Sequence, residues 1–248
     1  MLLAVDTSTR YAGVALYSAP TPETGRMIAS RCWYSAANHT TELMPAVSQI
    51  LESQATSLAD LTGIAVALGP GGFSALRVGM SVVKGLAVTA GKPVIGVGTL
   101  DLEAHPYLNA GLPVCALLDA GRNEVASARF DREGLRICDD TVGTPEELVN
   151  ELMDASLQET KSQKREKSRT LFCGEGVINW GGLIRDRMKS RALVIESSPA
   201  SRLWSLCEMG WSMLQQGQVS DLASLQPNYL RMPSIGGPKR RDRNPQQR

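Results

Sequence analysis

Residues 64 to 90 limit the fold more than any other stretch. Ile64-Ala65-Val66-Ala67-Leu68 is a continuous apolar run of the buried-strand type, GPGGFS follows, and Ser74 to Ala90 reads as a helix with Ser74 as its N-cap. Around that helix almost every position is apolar or small. Arg77, Ser81 and Lys84 form its narrow polar stripe. A helix apolar on nearly all sides must be covered on more than one of them. Its own sheet covers one side, and more of this chain or a partner must cover another.

The flanking sequence supplies that sheet. Leu2 to Val5 and Gly13 to Tyr17 enclose the turn-prone Asp6-Thr7-Ser8-Thr9 and read as a hairpin, and Met27 to Tyr34 adds a strand. Thr41 to Ser53 places Leu43, Met44, Val47, Ile50 and Leu51 on one helical face, with Asn38, Thr40 and Thr41 as candidate caps. Pro45 is tolerable there only in or near the first turn, where its missing N–H matters least. Val94 to Val97 is a strand, and Thr99 to Leu108 is a helix. Strands alternating with helices predict a mixed α/β sheet.

The second half restarts the pattern. Val114 to Leu118 ends at Asp119-Ala120-Gly121-Arg122, and Glu124 to Phe130 returns. LAVDTSTRYAGVALY lines up with ALLDAGRNEVASARF without a gap, so that Asp6 meets Asp119. Domain duplication explains this, as does the general likeness of hairpins. Further on come a helix at Pro145 to Met153, a polar surface loop or frayed helix at 155–169, short strands at Leu171 to Cys173 and Leu193 to Ile195, and a helix at Pro199 to Gln215. From Pro233 onward the composition is rich in Pro, Gly, Arg and Gln, and disorder is expected.

A glycine loop between a strand and a helix raises the question of phosphate binding. A nucleotide P-loop needs a Gly-Lys-Ser/Thr, because the lysine must reach the terminal phosphates, and none occurs here. A dinucleotide fingerprint needs a third glycine where this loop has Ser74. Gly69, Gly71, Gly72 and Ser74 remain open to two readings: a turn that lets the helix pack closely on the sheet, or a helix start whose free N–H groups meet an anion.

Composition excludes other classes. The five cysteines are scattered with no C-x-x-C, which fits a reducing compartment rather than a disulfide framework or zinc knuckle. With two histidines, His39 and His105, a histidine-based metal site is not expected. MLLAVD lacks the basic region of a signal peptide, and no window approaches the roughly 18 apolar residues of a membrane span. A cytoplasmic protein with no membrane partner is expected. The formal net charge of +1 gives no general affinity for polyanions. Local charge lies in Lys161 to Arg169 and in Lys239 to Arg248, each with five basic residues and one acidic. These could touch nucleic-acid phosphates or simply be solvated.

Several blocks together resemble the TsaB (YeaZ) family: Ala4-Val5-Asp6-Thr7-Ser8-Thr9, His39-Thr40, GPGGFSALRVGMSVVKGLA, GVGTLD, LLDAGRNEV and Pro227-Asn228-Tyr229-Leu230-Arg231. The resemblance runs from residue 2 to about 231 and implies an actin-like ATPase (ASKHA) fold of two ribonuclease-H-like lobes. The expected division is a first lobe at 1–110, a second at 111–231 and a basic tail at 232–248. The implied role is a non-catalytic subunit of the complex that places a threonylcarbamoyl group on the adenosine beside the anticodon of ANN-reading tRNAs. Its implied partners are a TsaD-like paralogue, a TsaE-like ATPase and tRNA within the complex, with a homodimer when the paralogue is missing. No cofactor is expected on this chain alone, with ATP and a metal on the partner subunits.

On this reading the partner-binding residues are His39, Leu43, Val47, Leu76, Arg77, Met80, Val83, Lys84 and Ala87. Asp6, Thr7, Ser8 and Asp119 are the remnant of a nucleotide site, since the loop at Asp6 has no glycine and the loop at Asp119 only one. TsaD-type proteins carry two metal-holding histidines whose matching positions here are Thr99 and Glu103. For Asp6 itself an Asx turn competes with a metal-water role. An independently active ASKHA-type transferase or kinase, or a peptidase, is the alternative function. No paired nucleophile and base supports the peptidase.

Overall fold

Two five-stranded sheets carry the chain, and both follow one plan. The computed structural model describes residues 1–19, 21, 25–36, 38–162 and 169–230, with backbone only at 155–162. The expected disordered tail and most of the basic loop lie outside the described residues.

In the first sheet β1 (Leu2–Asp6) is central. It pairs antiparallel with β2 (Tyr11–Ser18), which pairs antiparallel with β3 (Arg26–Tyr34). On its other side β4 (Gly63–Ala67) and β5 (Val94–Val97) run parallel. In the second sheet β6 (Val114–Gly121) takes the same place. Antiparallel β7 (Glu124–Phe130) and β8 (Thr141–Gly143) lie on one side, and parallel β9 (Thr170–Cys173) and β10 (Ala192–Val194) on the other. Ala4 faces Ala15 and Ala65 across its two neighbours, as Ala116 faces Ala128 and Cys173. The aligned hairpins therefore occupy the same place in each sheet.

The helices are α1 (His39–Ser53), α2 (Phe73–Ala90), α3 (Thr99–Ala104), α4 (Pro145–Ser162), α5 (Gly176–Met188) and α6 (Pro199–Gln215). Helix α5 was not expected from the sequence, and α4 runs past its expected end. Helix α2 starts at Phe73 behind Gly72 with no side-chain cap, so Ser74 lies inside the first turn rather than capping it. Helix α1 starts at His39, which puts Pro45 in the second turn with its ring exposed. The Thr41 carbonyl thereby loses a helical donor.

Helices α1 and α2 cover one face of the first sheet, where Leu43, Val47, Met80 and Val83 meet Leu3, Val5, Ile64 and Val66. The opposite face is covered by α6, through Leu203, Leu206 and Cys207. In return α3 places Leu100 and Ala104 on Val114, Ala116 and Ala128 of the second sheet, whose other face is covered by α4 and α5. Each lobe's third helix thus lies on the other lobe's sheet. The expected division at 110 and 231 does not describe α3 and α6, because sequence order places a helix in a half of the chain and not on a face. Among the described residues α2 is the one helix long and apolar enough to cross a membrane, contrary to the reading by windows of hydropathy. Its Leu76, Met80, Val83 and Ala87 stripe is buried within the protein.

Candidate functional site

The glycine loop is filled by the chain's own first turn. Ser8 O accepts from Gly72 N at 2.9 Å, and Thr7 Oγ1 donates to Ala75 O at 2.8 Å. A Cβ on Gly71 would sit 2.0 Å from Ser8 O, and one on Gly79 would sit 2.2 Å from Thr7 Oγ1. These glycines let α2 and the turn approach each other. Gly69 is tied to the start of α3, donating its N–H to Thr99 Oγ1 at 3.1 Å and accepting from Thr99 N at 2.8 Å. Of the two readings of the loop, the packing turn accounts for Gly71 and Gly72. Ser74 is exposed in the first turn of α2.

Asp6 ends β1 and is 2% exposed. Its Oδ1 closes an Asx turn, accepting from Ser8 N at 2.8 Å and from Ser8 Oγ at 2.6 Å. Its Oδ2 accepts from Arg202 Nε at 2.6 Å. Arg202 comes from α6, and every N–H of its guanidinium has a partner. Nη1 donates to Glu103 Oε1 at 2.9 Å and Glu175 Oε1 at 2.5 Å, and Nη2 to Thr9 Oγ1 at 2.9 Å and the Tyr11 carbonyl at 3.0 Å. Burial pulls the guanidinium pKa down, but Asp6, Glu103 and Glu175 outweigh it and hold it well above the ordinary value. Burial pushes the Glu103 carboxyl up, with Arg202 opposing. One cation shared among three acids leaves the site short of positive charge.

Sequence reasoning missed Arg202 and Glu175. The available signal was an arginine within the buried stripe Arg202, Leu203, Leu206, Cys207 and Gly210 of an amphipathic helix. A cation on an apolar face requires a buried counter-charge. Thr99 and Glu103 are both buried, and their bonds go to Gly69 and Arg202. Among the described residues no group of His, Cys, Asp and Glu is arranged to hold a metal.

Above this cluster the lobes enclose a cleft of about 1090 Å³, with Tyr11, Tyr34, His39 and Ser74 on one wall and Asp119 and Asn179 on the other. Asp119 is exposed, accepting from Gly121 N at 2.7 Å and from Asn179 Nδ2 at 2.6 Å. His39 is 8% exposed and joins α1 to the first turn, with Nε2 3.3 Å from Thr9 O and Nδ1 3.4 Å from Ser35 Oγ.

The partner-facing residues expected from periodicity need correction. Leu43, Val47, Leu76, Met80, Val83 and Ala87 are at most 5% exposed and belong to the core, as His39 nearly does. The apolar stripe is the one the sheet takes. The outward face of α2 is Ser74, Arg77, Ser81, Gly85 and Val88, beside Thr40, Met44 and Ser48 of α1. Arg77 lies over the Phe73 ring at 3.9 Å and donates to Tyr229 Oη at 3.1 Å, while Asn228 N donates to Leu68 O at 2.7 Å. The glycine block and the closing block around Asn228 and Tyr229 therefore touch each other. Lys84 lines the same groove with Ser81 and Leu225.

The family model TsaD, described as tRNA N6-adenosine threonylcarbamoyltransferase, matches residues 34–183. The tRNA threonylcarbamoyladenosine biosynthesis protein TsaB of Haemophilus influenzae is 31% identical over 166 residues, covering 62% of this chain and 68% of that one. The chain belongs to the TsaB branch of this family. The TsaB protein of Escherichia coli is 35% identical over 134 residues, covering 53% of this chain and 55% of that protein. The solved structure of YeaZ from Pseudomonas aeruginosa superposes with a TM-score of 0.67 at 26% identity, covering 92% of this chain and 99% of that one. The TsaB fold here is that of two ribonuclease-H-like lobes in the actin-like ATPase arrangement.

Proposed function

We propose that this chain is a non-catalytic, cytoplasmic subunit of the machinery that makes threonylcarbamoyladenosine in tRNA, and that it acts by pairing with a TsaD-like paralogue. Its TsaB relatives are named as threonylcarbamoyladenosine biosynthesis proteins, and its match to the TsaD model supports descent from the transferase. The observation that carries the non-catalytic reading is Arg202. Its guanidinium engages Asp6, Glu103 and Glu175 at the floor of the cleft, and Glu103 stands at one of the positions matching the TsaD-type histidines. Acids in excess over that cation disfavour a polyphosphate. ATP and a metal then belong to the paralogue and to a TsaE-like ATPase, and the modified base is the adenosine beside the anticodon of ANN-reading tRNAs. Reconstitution of the modification tests the role. Omitting this chain is expected to abolish turnover, and transfer by this chain without the paralogue would overturn it.

The pairing surface in this reading is the outward face of α1 and α2. Val88 is 72% and Met44 40% exposed there, and the small Ser74, Ser81 and Gly85 allow a helix to approach closely. Nothing lies within 4 Å of a Cβ on Gly85. Gly85→Arg should therefore fold normally and lose co-purification with the paralogue. Pairing at wild-type strength would exclude this face. Without the paralogue a second copy of this chain meets the same stripe, and sedimentation should show a concentration-dependent dimer that Gly85→Arg abolishes.

A further inference from the structure

Arg202 does more than balance charge, because its partners come from both lobes. Asp6, Thr9 and Tyr11 belong to the first hairpin, and Arg202 stands on α6, which is packed on the first sheet. Glu175 stands at the N-cap of α5 in the second lobe, and Glu103 on α3, which is packed on the second sheet. Thr9 Oγ1 also donates to Glu175 Oε1 at 2.8 Å, closing a ring of bonds across the lobe boundary. The Arg202, Asp6 and Glu103 side chains are 0 to 2% exposed and that of Glu175 is 17% exposed. Three carboxylates brought together away from water repel one another unless a cation lies between them.

We infer that Arg202 is a built-in counter-ion that pins the two lobes at one cleft width. A planar guanidinium with five directed donors fixes both distance and angle, which a spherical ion does not. Its covalent anchor is α6, and its bonds to Glu103 and Glu175 hold the other lobe to it. Opening the cleft therefore requires these buried ion pairs to break. This inference concerns the chain alone and does not depend on which partner it meets.

Amide hydrogen exchange on the full chain tests it. Arg202→Met keeps the apolar stem and removes the cation. Exchange at residues 7–11 and 174–178, the two sides of the joint, is expected to rise about ten-fold or more, while β4 and β9 keep their protection. Unchanged exchange at both segments in the folded variant overturns the pin. Should Arg202→Met fail to fold, Glu175→Gln removes only the second lobe's acid and leaves Arg202 paired with Asp6 and Glu103. The same two segments should then exchange several-fold faster, and an unchanged rate again overturns it.

Discussion

The two hairpins that begin the two lobes share topology and an aspartate at or near the end of the first strand, but a bulge after Asp119 offsets the second by one residue, and their turns have opposite fates. The first turn, Asp6 to Thr9, is packed beneath α2 and bonded to a buried arginine. In the second, Asp119 is exposed, held by Gly121 and Asn179, and the chain passes through Gly121, Arg122 and Asn123 with positive φ. The difference lies in what each turn meets. The first faces Gly71 before α2 and Gly79 within it, which leave room for it, and an arginine from α6. The second opens onto the cleft. One turn is a keystone and the other stands at the surface, which shows that the aspartate does not define the site and that its surroundings do.

The largest test of this contrast is a pair of alanine substitutions. Asp6→Ala strips a fully buried guanidinium of a partner and should cost about 3–5 kcal/mol in urea denaturation. Asp119→Ala removes exposed bonds and should stay within about 0.5 kcal/mol. Equal losses would mean that the two turns are energetically alike. A smaller difference should separate the glycines. Gly71→Ala places a methyl group against the Ser8 backbone and should cost about 1–3 kcal/mol. Gly121→Ala meets open space at a φ of 71° and should cost about 1 kcal/mol from left-handed strain alone.

The smallest effect is one of pH. Burial holds Glu103 above its ordinary value of 4.5, so the folded state binds that proton more tightly than the unfolded state does. This group's stabilisation is complete below its ordinary value and fades as pH rises through the raised one. Going from about pH 7 to about pH 5, Glu103→Gln should therefore lose more stability than the wild type, because the favourable proton uptake is gone. Parallel curves would mean that Glu103 is fully neutralised by Arg202.

Much of the frame was legible in the sequence because its signals are local. The strand, glycine and helix order, the gapless hairpin alignment and the Asx turn at Asp6 each rest on residues a few positions apart. Helix α5 was hidden because Gly176, Gly181 and Gly182 make its run look like a loop. Strand β8 has only three residues, too few for a period to show, whereas β10 was expected one residue out of place. The joint could not be read because Arg202 meets acids 196, 99 and 27 residues away. The partner stripe on α2 was misplaced for a related reason. Periodicity finds the most apolar side of a helix, which the sheet claims first, and leaves the outward side to smaller, more polar residues.

The exchange of third helices sets an order of events during synthesis. Leu2, Ala4, Ala15, Ala65 and Ile95 form an apolar face that Leu203, Leu206 and Cys207 of α6 cover. Until residues 199–215 have left the ribosome, the lobe made first stands open on that side, and a chain stopped before them carries a bare sheet face suited to aggregation. The first lobe to be translated is the last to be finished.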